Sequence, residues 1–114
     1  MTTLGSFESL DAVEPHPGLR RRTLESAEAT INEYTFEPTA SFPLHQHPQE
    51  QITLVLEGRV EMTIEDRTAE LSAGDWSVVG PDVEHGITAG ADGARILAII
   101  VPRRSAPDAY TLVD

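Results

Sequence analysis

The chain has no cysteine. That absence excludes a disulfide framework, a zinc–thiolate site and a cysteine nucleophile, so any metal must be held by histidine, carboxylate or amide ligands. Basic residues are scarce: Lys and Arg together number 8 against 19 Asp and Glu, for a formal charge of −11. Nucleic acid and anionic membrane need clustered Lys and Arg, so neither is expected as a partner. The one basic run, Arg20-Arg21-Arg22, reads as a solvated loop or strand edge. Long apolar runs are missing too. The longest, Ile96 to Val101, is far short of a membrane span, and nothing before Arg20 forms the apolar segment of a secretory signal. The expectation is a soluble cytoplasmic protein. Helical periodicity is absent, and with it any DNA-binding helix-turn-helix.

What is present is a succession of short strands and turns. With 114 residues the chain suits one compact domain and is too short for two. We read residues 1–22 as an N-terminal arm carrying strand fragments, 38–101 as the core of the fold and 102–114 as a tail that packs loosely or covers a neighbour. Between them, Thr23 to Glu37 supplies one or two strands. Glu57-Gly58 is expected to turn into a half-exposed strand, Arg59 to Glu65, in which Val60, Met62 and Ile64 alternate with polar residues. Ala89 to Gly93 is expected to form another turn. Two strands, Ile52 to Leu56 and Ile96 to Val101, are apolar on both faces, which implies cover on both sides. No helix is available for this, so a second copy of the chain is the expected cover, with Leu54, Leu56 and the last strand in a homodimer contact.

Chemistry concentrates at His45-Gln46-His47 and Gln51. Residues two apart on a strand share a face, so both imidazoles reach one point, and Gln51 has the same parity. In an unbroken strand Gln51 would lie roughly 13 Å from His47, too far to share an ion. Pro48 has no N–H for a sheet ladder and supplies the expected bend. Of the two other histidines, His16 lies between two prolines and reads as an exposed loop residue, whereas His85 follows a turn and enters a new strand, well placed to face the interior.

The segments Phe42 to Gln51, Leu54 to Gly58 and Gly74 to His85 resemble the two motifs of the cupin superfamily in their usual order. The resemblance implies an all-β fold, a double-stranded β-helix or jelly roll, with one divalent metal ion inside held by His45, His47, Gln51 and His85. Zinc, iron, nickel, manganese and copper are not distinguished by such ligands. Most relatives have Glu where this chain has Gln51, a second-motif Pro and Gly where it has Gly80 and Asp82, and often Asn where it has Ala89. A neutral Gln leaves the ion its full charge and so a strong Lewis acid. The family likeness then implies a cyclase or isomerase that stabilises the enolate of a small, polyketide-like substrate. The alternatives are an iron or nickel dioxygenase of an enolisable substrate and a non-catalytic small-ligand sensor. Glu50 is the nearest candidate base, though its parity turns it away from the ligands. Tyr34, Phe36 and Trp76 are candidate walls of the substrate pocket.

Overall fold

The computed structural model describes residues 2–106 and 108–113. Its strands are β1 (Ala12–His16), β2 (Leu19–Glu25), β3 (Thr30–Phe36), β4 (Ser41–Gln46), β5 (Glu50–Ile64), β6 (Arg67–Ser72), β7 (Trp76–Val79), β8 (His85–Val101) and β9 (Thr111–Leu112), preceded by a single 3-10 turn at Phe7–Ser9. All the pairings are antiparallel, in the order β1-β2-β3-β8-β4-β9, with β5 joining β8 to β6 and β7. The two long strands curl this sheet into a jelly roll. One half of β8 pairs with β3 and the first half of β5, while its other half pairs with β4 and the end of β5.

That partner exchange corrects two expectations. Gly58 does not start a hairpin: β5 runs through it, with register shifts on either side, because the strand bends from one wall to the other there. Ala89 to Gly93 is likewise a bulge within β8 and not a turn between strands. Gly58 sits at φ +75°, where a Cβ would run into the Gly93 carbonyl oxygen and stand 3.0 Å from the Ala94 Cα. The long strands cross so closely that only glycine fits.

Within residues 1–22, β1 and the start of β2 form strands that extend the β3 wall. Period-two alternation puts Leu19 and Arg21 inside, both at most 3% exposed. Arg21 is therefore not part of a solvated run; its register partner is the buried Tyr34. The interior is filled by Leu19, Tyr34, Phe36, Phe42, Val55, Val60, Met62, Ile87, Ile96 and Ala98.

The outer face of the same wall is apolar along two cross-strand rows. Register places Leu24, Ile31, Ile99, Ile52 and Val78 in one row, and Leu97, Leu54 and Trp76 in the next. Leu24, Val78 and Trp76 are exposed in the single chain.

The glycines give a test of the strand crossing. Gly74 also has a positive φ, +94°, but a Cβ there would meet nothing within 4 Å. Gly74→Ala should cost about 1–2 kcal/mol from left-handed strain alone. Gly58→Ala should cost clearly more, as overpacking adds about 1–3 kcal/mol. Urea unfolding of the two variants checks the order, and equal midpoints would contradict the close crossing.

Candidate metal centre

Four polar side chains meet at one end of the barrel because their strands begin or end there. β4 ends just after His45, β5 begins just before Gln51, and β8 begins at His85. Residues 47–49 form the bend expected at Pro48, and it carries the chain from one wall to the other. His45 is the register partner of His85, and the second-motif turn is tied to the first by the Asp82 N–H donating to the His47 carbonyl at 2.8 Å. Asp82 adopts φ +62°, a left-handed conformation that Asp accepts better than most residues.

The ligand-capable nitrogens of His45, His47 and His85 lie within 4.8 Å of one another, and all three residues are buried. Each ring has its Nδ1 against a backbone carbonyl: Pro43 at 2.8 Å for His45, Gln49 at 3.0 Å for His47 and Val83 at 2.8 Å for His85. A carbonyl only accepts, so the proton sits on Nδ1 and the Nε2 lone pair faces inward. Gln51 is oriented the same way. Its Nε2 donates to Thr53 Oγ1 at 3.0 Å, which turns its oxygen toward His47 Nε2 at 3.0 Å and His85 Nε2 at 3.2 Å.

Burial, ahead of every other cause, pushes all three imidazoles below their usual 6.5, to about 3 for His45 and about 4 for His85. At neutral pH the rings are uncharged, and the inward contacts with Gln51 are acceptor against acceptor. Three imidazole lone pairs and the Gln51 amide therefore converge on one buried space. With its oxygen turned inward the amide adds a fourth donor atom, and nitrogen with oxygen suits a divalent transition metal. The donor set therefore fits a metal ion.

The sequence points the same way. Residues 32–100, more than half of the chain, match the Cupin domain family. The chain belongs to the cupins. This cupin is 27% identical over 106 residues to an "H2HPP isomerase" of Bacillus subtilis, a match that covers 92% of the chain and 44% of that protein. It therefore spans less than half the length of the curated relative. Among solved structures, KdgF from Halomonas is 26% identical with a TM-score of 0.79, over 85% of this cupin and 92% of that chain. An RmlC-like cupin from Shewanella frigidimarina shares the fold with a TM-score of 0.83 at 24% identity, covering 92% and 95%.

Not every residue singled out in the sequence stands at the centre. Glu50 is exposed at the start of β5, on the opposite parity to Gln51. Tyr34 and Phe36 are buried in the barrel, and Phe42 links them to the centre: its ring lies 5.8 Å from Tyr34 and 4.2 Å from His45. Trp76 is not a cavity wall; it is 65% exposed, because its pairing with Leu54 puts it on the outer face.

His16 was misread as an exposed loop residue. It is the half-buried end of β1, packed edge-on against Phe42 at 4.6 Å and sharing a 3.2 Å hydrogen bond with the Tyr110 hydroxyl. Nor is the tail loose. The β9 residue Leu112 pairs with His45, the Tyr110 ring lies 5.4 Å from the His45 ring, and Arg104 is 3% exposed. Neither Tyr110 nor Arg104 carries a motif or a periodic pattern. Strand parity ends at Pro102, and only the fold shows where the tail returns.

The neutral imidazoles make stability pH-dependent. The unfolded chain binds protons on these histidines below about pH 6.5, whereas in the fold His45 and His85 resist protonation down to about 3 and about 4. Stability is therefore full above that upper value and falls as pH drops through the window. The urea midpoint of metal-free protein should fall between pH 7.5 and pH 5, and His85→Asn should fall less steeply. A midpoint unchanged or raised at pH 5 would contradict the buried neutral state.

Proposed function

We propose that this cupin is a metal-dependent isomerase or cyclase acting on a small enolisable carbonyl compound. The observation that carries the reading is the convergence of three Nε2 lone pairs and the Gln51 oxygen, all neutral, on one buried point. A divalent ion bound there supplies Lewis acidity, which lowers the cost of forming an enolate from the substrate carbonyl. Gln51 matters by what it does not carry: an anionic side chain at this position would cancel part of the ion's charge. The likeness to an isomerase supports an enzyme of this class.

The surrounding residues supply the rest. Phe42 packs on the His45 ring and, with Tyr34 and Phe36, forms an apolar wall that excludes water. Proton transfer needs a group within reach of the substrate. Tyr110 meets that need: burial raises its pKa, so it keeps its proton, and it stands against His45 while bonded to His16. Burial also lowers the pKa of His16, which leaves that ring neutral and able to accept a proton.

Deuterium exchange tests the reaction class. Metal-loaded protein in deuterated buffer without oxygen should place deuterium on the α-carbon of enolisable carbonyl compounds, read by NMR. Gln51→Glu should keep its metal and slow the exchange by about tenfold or more, since one oxyanion-stabilising interaction is worth at least that. Equal rates in the two proteins would contradict the charge argument. Turnover only with consumption of oxygen would favour a dioxygenase, and ligand binding without exchange would favour a sensor.

We further propose that a second copy covers the outer apolar rows in a homodimer. Light scattering at micromolar concentration should give twice the chain mass, and Leu54→Glu should give a monomer. A monomeric parent would remove the claim.

A further inference from the structure

A crevice opens in the side of the barrel, between β6 and β7. The turn over residues 73–75 joins these two strands and is held to the middle of β5 by the Gly74 N–H, which donates to the Val55 carbonyl at 2.9 Å. From that turn β6 pairs with the second half of β5, Arg59 to Ile64, and β7 with its first half, Gln51 to Leu54. Among the described strands neither has another partner, so the two walls part where these edges face each other. The space between them has a volume of about 250 Å³, and its lining includes Met62, Ile64, Ala69, Leu71 and Ser77. The two charged residues that line it, Glu65 and Arg67, are exposed and opposite in sign.

Register ties this crevice to the histidine centre from both walls. Residues directly opposite on antiparallel strands share a face, with Cβ atoms about 4.5–5.5 Å apart. Ile64 is the partner of His85, and Ser77 is the partner of Thr53, which accepts from the Gln51 amide at 3.0 Å. His85, Gln51 and Thr53 are at most 3% exposed, so they lie behind the lining, with Ile64 and Ser77 as their neighbours on the crevice side. The lining itself is mostly hydrocarbon. Its hydroxyl, on Ser77, donates to the Met62 sulfur at 3.0 Å. A thioether is a weak acceptor, so a carbonyl or hydroxyl oxygen entering the crevice offers this donor a better partner. An apolar cavity of about 150 Å³ is enough to take benzene, so the space here suits one ring or a branched chain of similar bulk.

We propose that the crevice between β6 and β7 is a substrate subsite that takes a ring-sized apolar group bearing one oxygen, with Ser77 as its hydrogen-bonding partner. This rests on the metal-dependent reading above and narrows it to enolisable carbonyl compounds that carry such a group. The arrangement divides the substrate. The ring and its oxygen stay in the crevice, and the enolisable end passes Ile64 toward the histidines, so binding energy from the part that does not react positions the part that does.

Two ketones that differ in bulk test the proposal. Cyclohexanone is titrated into metal-free protein and followed by methyl NMR, and deuterium exchange into cyclohexanone and acetone is then compared with zinc bound. The parent should show saturable shifts at the Met62, Ile64 and Leu71 methyls. Ser77→Ala should weaken binding about two- to tenfold, the worth of one neutral hydrogen bond. Ala69→Phe, which adds bulk at an exposed lining position, should weaken it at least tenfold and slow exchange into cyclohexanone while leaving that into acetone unchanged. Shifts that do not saturate or that centre elsewhere, or an Ala69→Phe variant that binds and discriminates as the parent does, would overturn the proposal. If Ala69→Phe does not fold, the shift map of the parent decides. A parent that binds cyclohexanone in the crevice but exchanges neither ketone would sink the enolisation reading alone.

Discussion

Everything at the centre depends on three backbone carbonyls. By accepting from the Nδ1 of His45, His47 and His85, the carbonyls of Pro43, Gln49 and Val83 fix which nitrogen carries the proton and which way each ring turns. Without them the rings would be free to swap tautomers and satisfy one another as donor and acceptor. With them, the inward atoms can only accept. The fold thereby keeps a set of electron pairs aimed at one buried space, an arrangement that costs stability unless a cation is present.

The jelly roll makes this possible at one end while filling the other with hydrocarbon. His45, Gln51 and His85 stand on strands where β4 ends and where β5 and β8 begin, and His47 follows β4 directly in the bend. The carbonyls that hold the rings come from irregular backbone: Pro43 at the register shift in β4, Gln49 in the bend after it and Val83 in the turn before β8. Farther along the same strands, Val60, Met62, Ile87 and Ile96 close the barrel. The tail completes the polar end through Tyr110, which touches both His45 and His16, and through the buried Arg104, whose guanidinium lies over the Tyr110 ring.

Local pattern made much of this legible. Parity on a strand gave His45, His47 and Gln51 a common face, the missing N–H of Pro48 gave the bend, and the turn before His85 marked it as inward-facing. What escaped were features set by pairing over long distances. Gly58 looked like a turn because it separates two runs of strand-like residues, and only the crossing with Gly93 and Ala94 shows that the strand continues. Arg21 looked solvated as one of three arginines until its register with Tyr34 turned it inward. Trp76 looked like a pocket wall because aromatics line cavities, but its pairing with Leu54 faces it outward. Tyr110 and Arg104 lay beyond the last periodic strand, where sequence carries no signal of return.

The most direct test of the account is metal content. Protein loaded with zinc at pH 7, dialysed against metal-free buffer and analysed by inductively coupled plasma mass spectrometry should retain one ion per chain. His47→Ala, which removes one of the converging lone pairs, should retain far less while keeping the circular dichroism of the parent. A parent that loses its zinc on dialysis, or a His47→Ala variant that holds as much as the parent, would contradict the claim that these electron pairs converge on a metal ion.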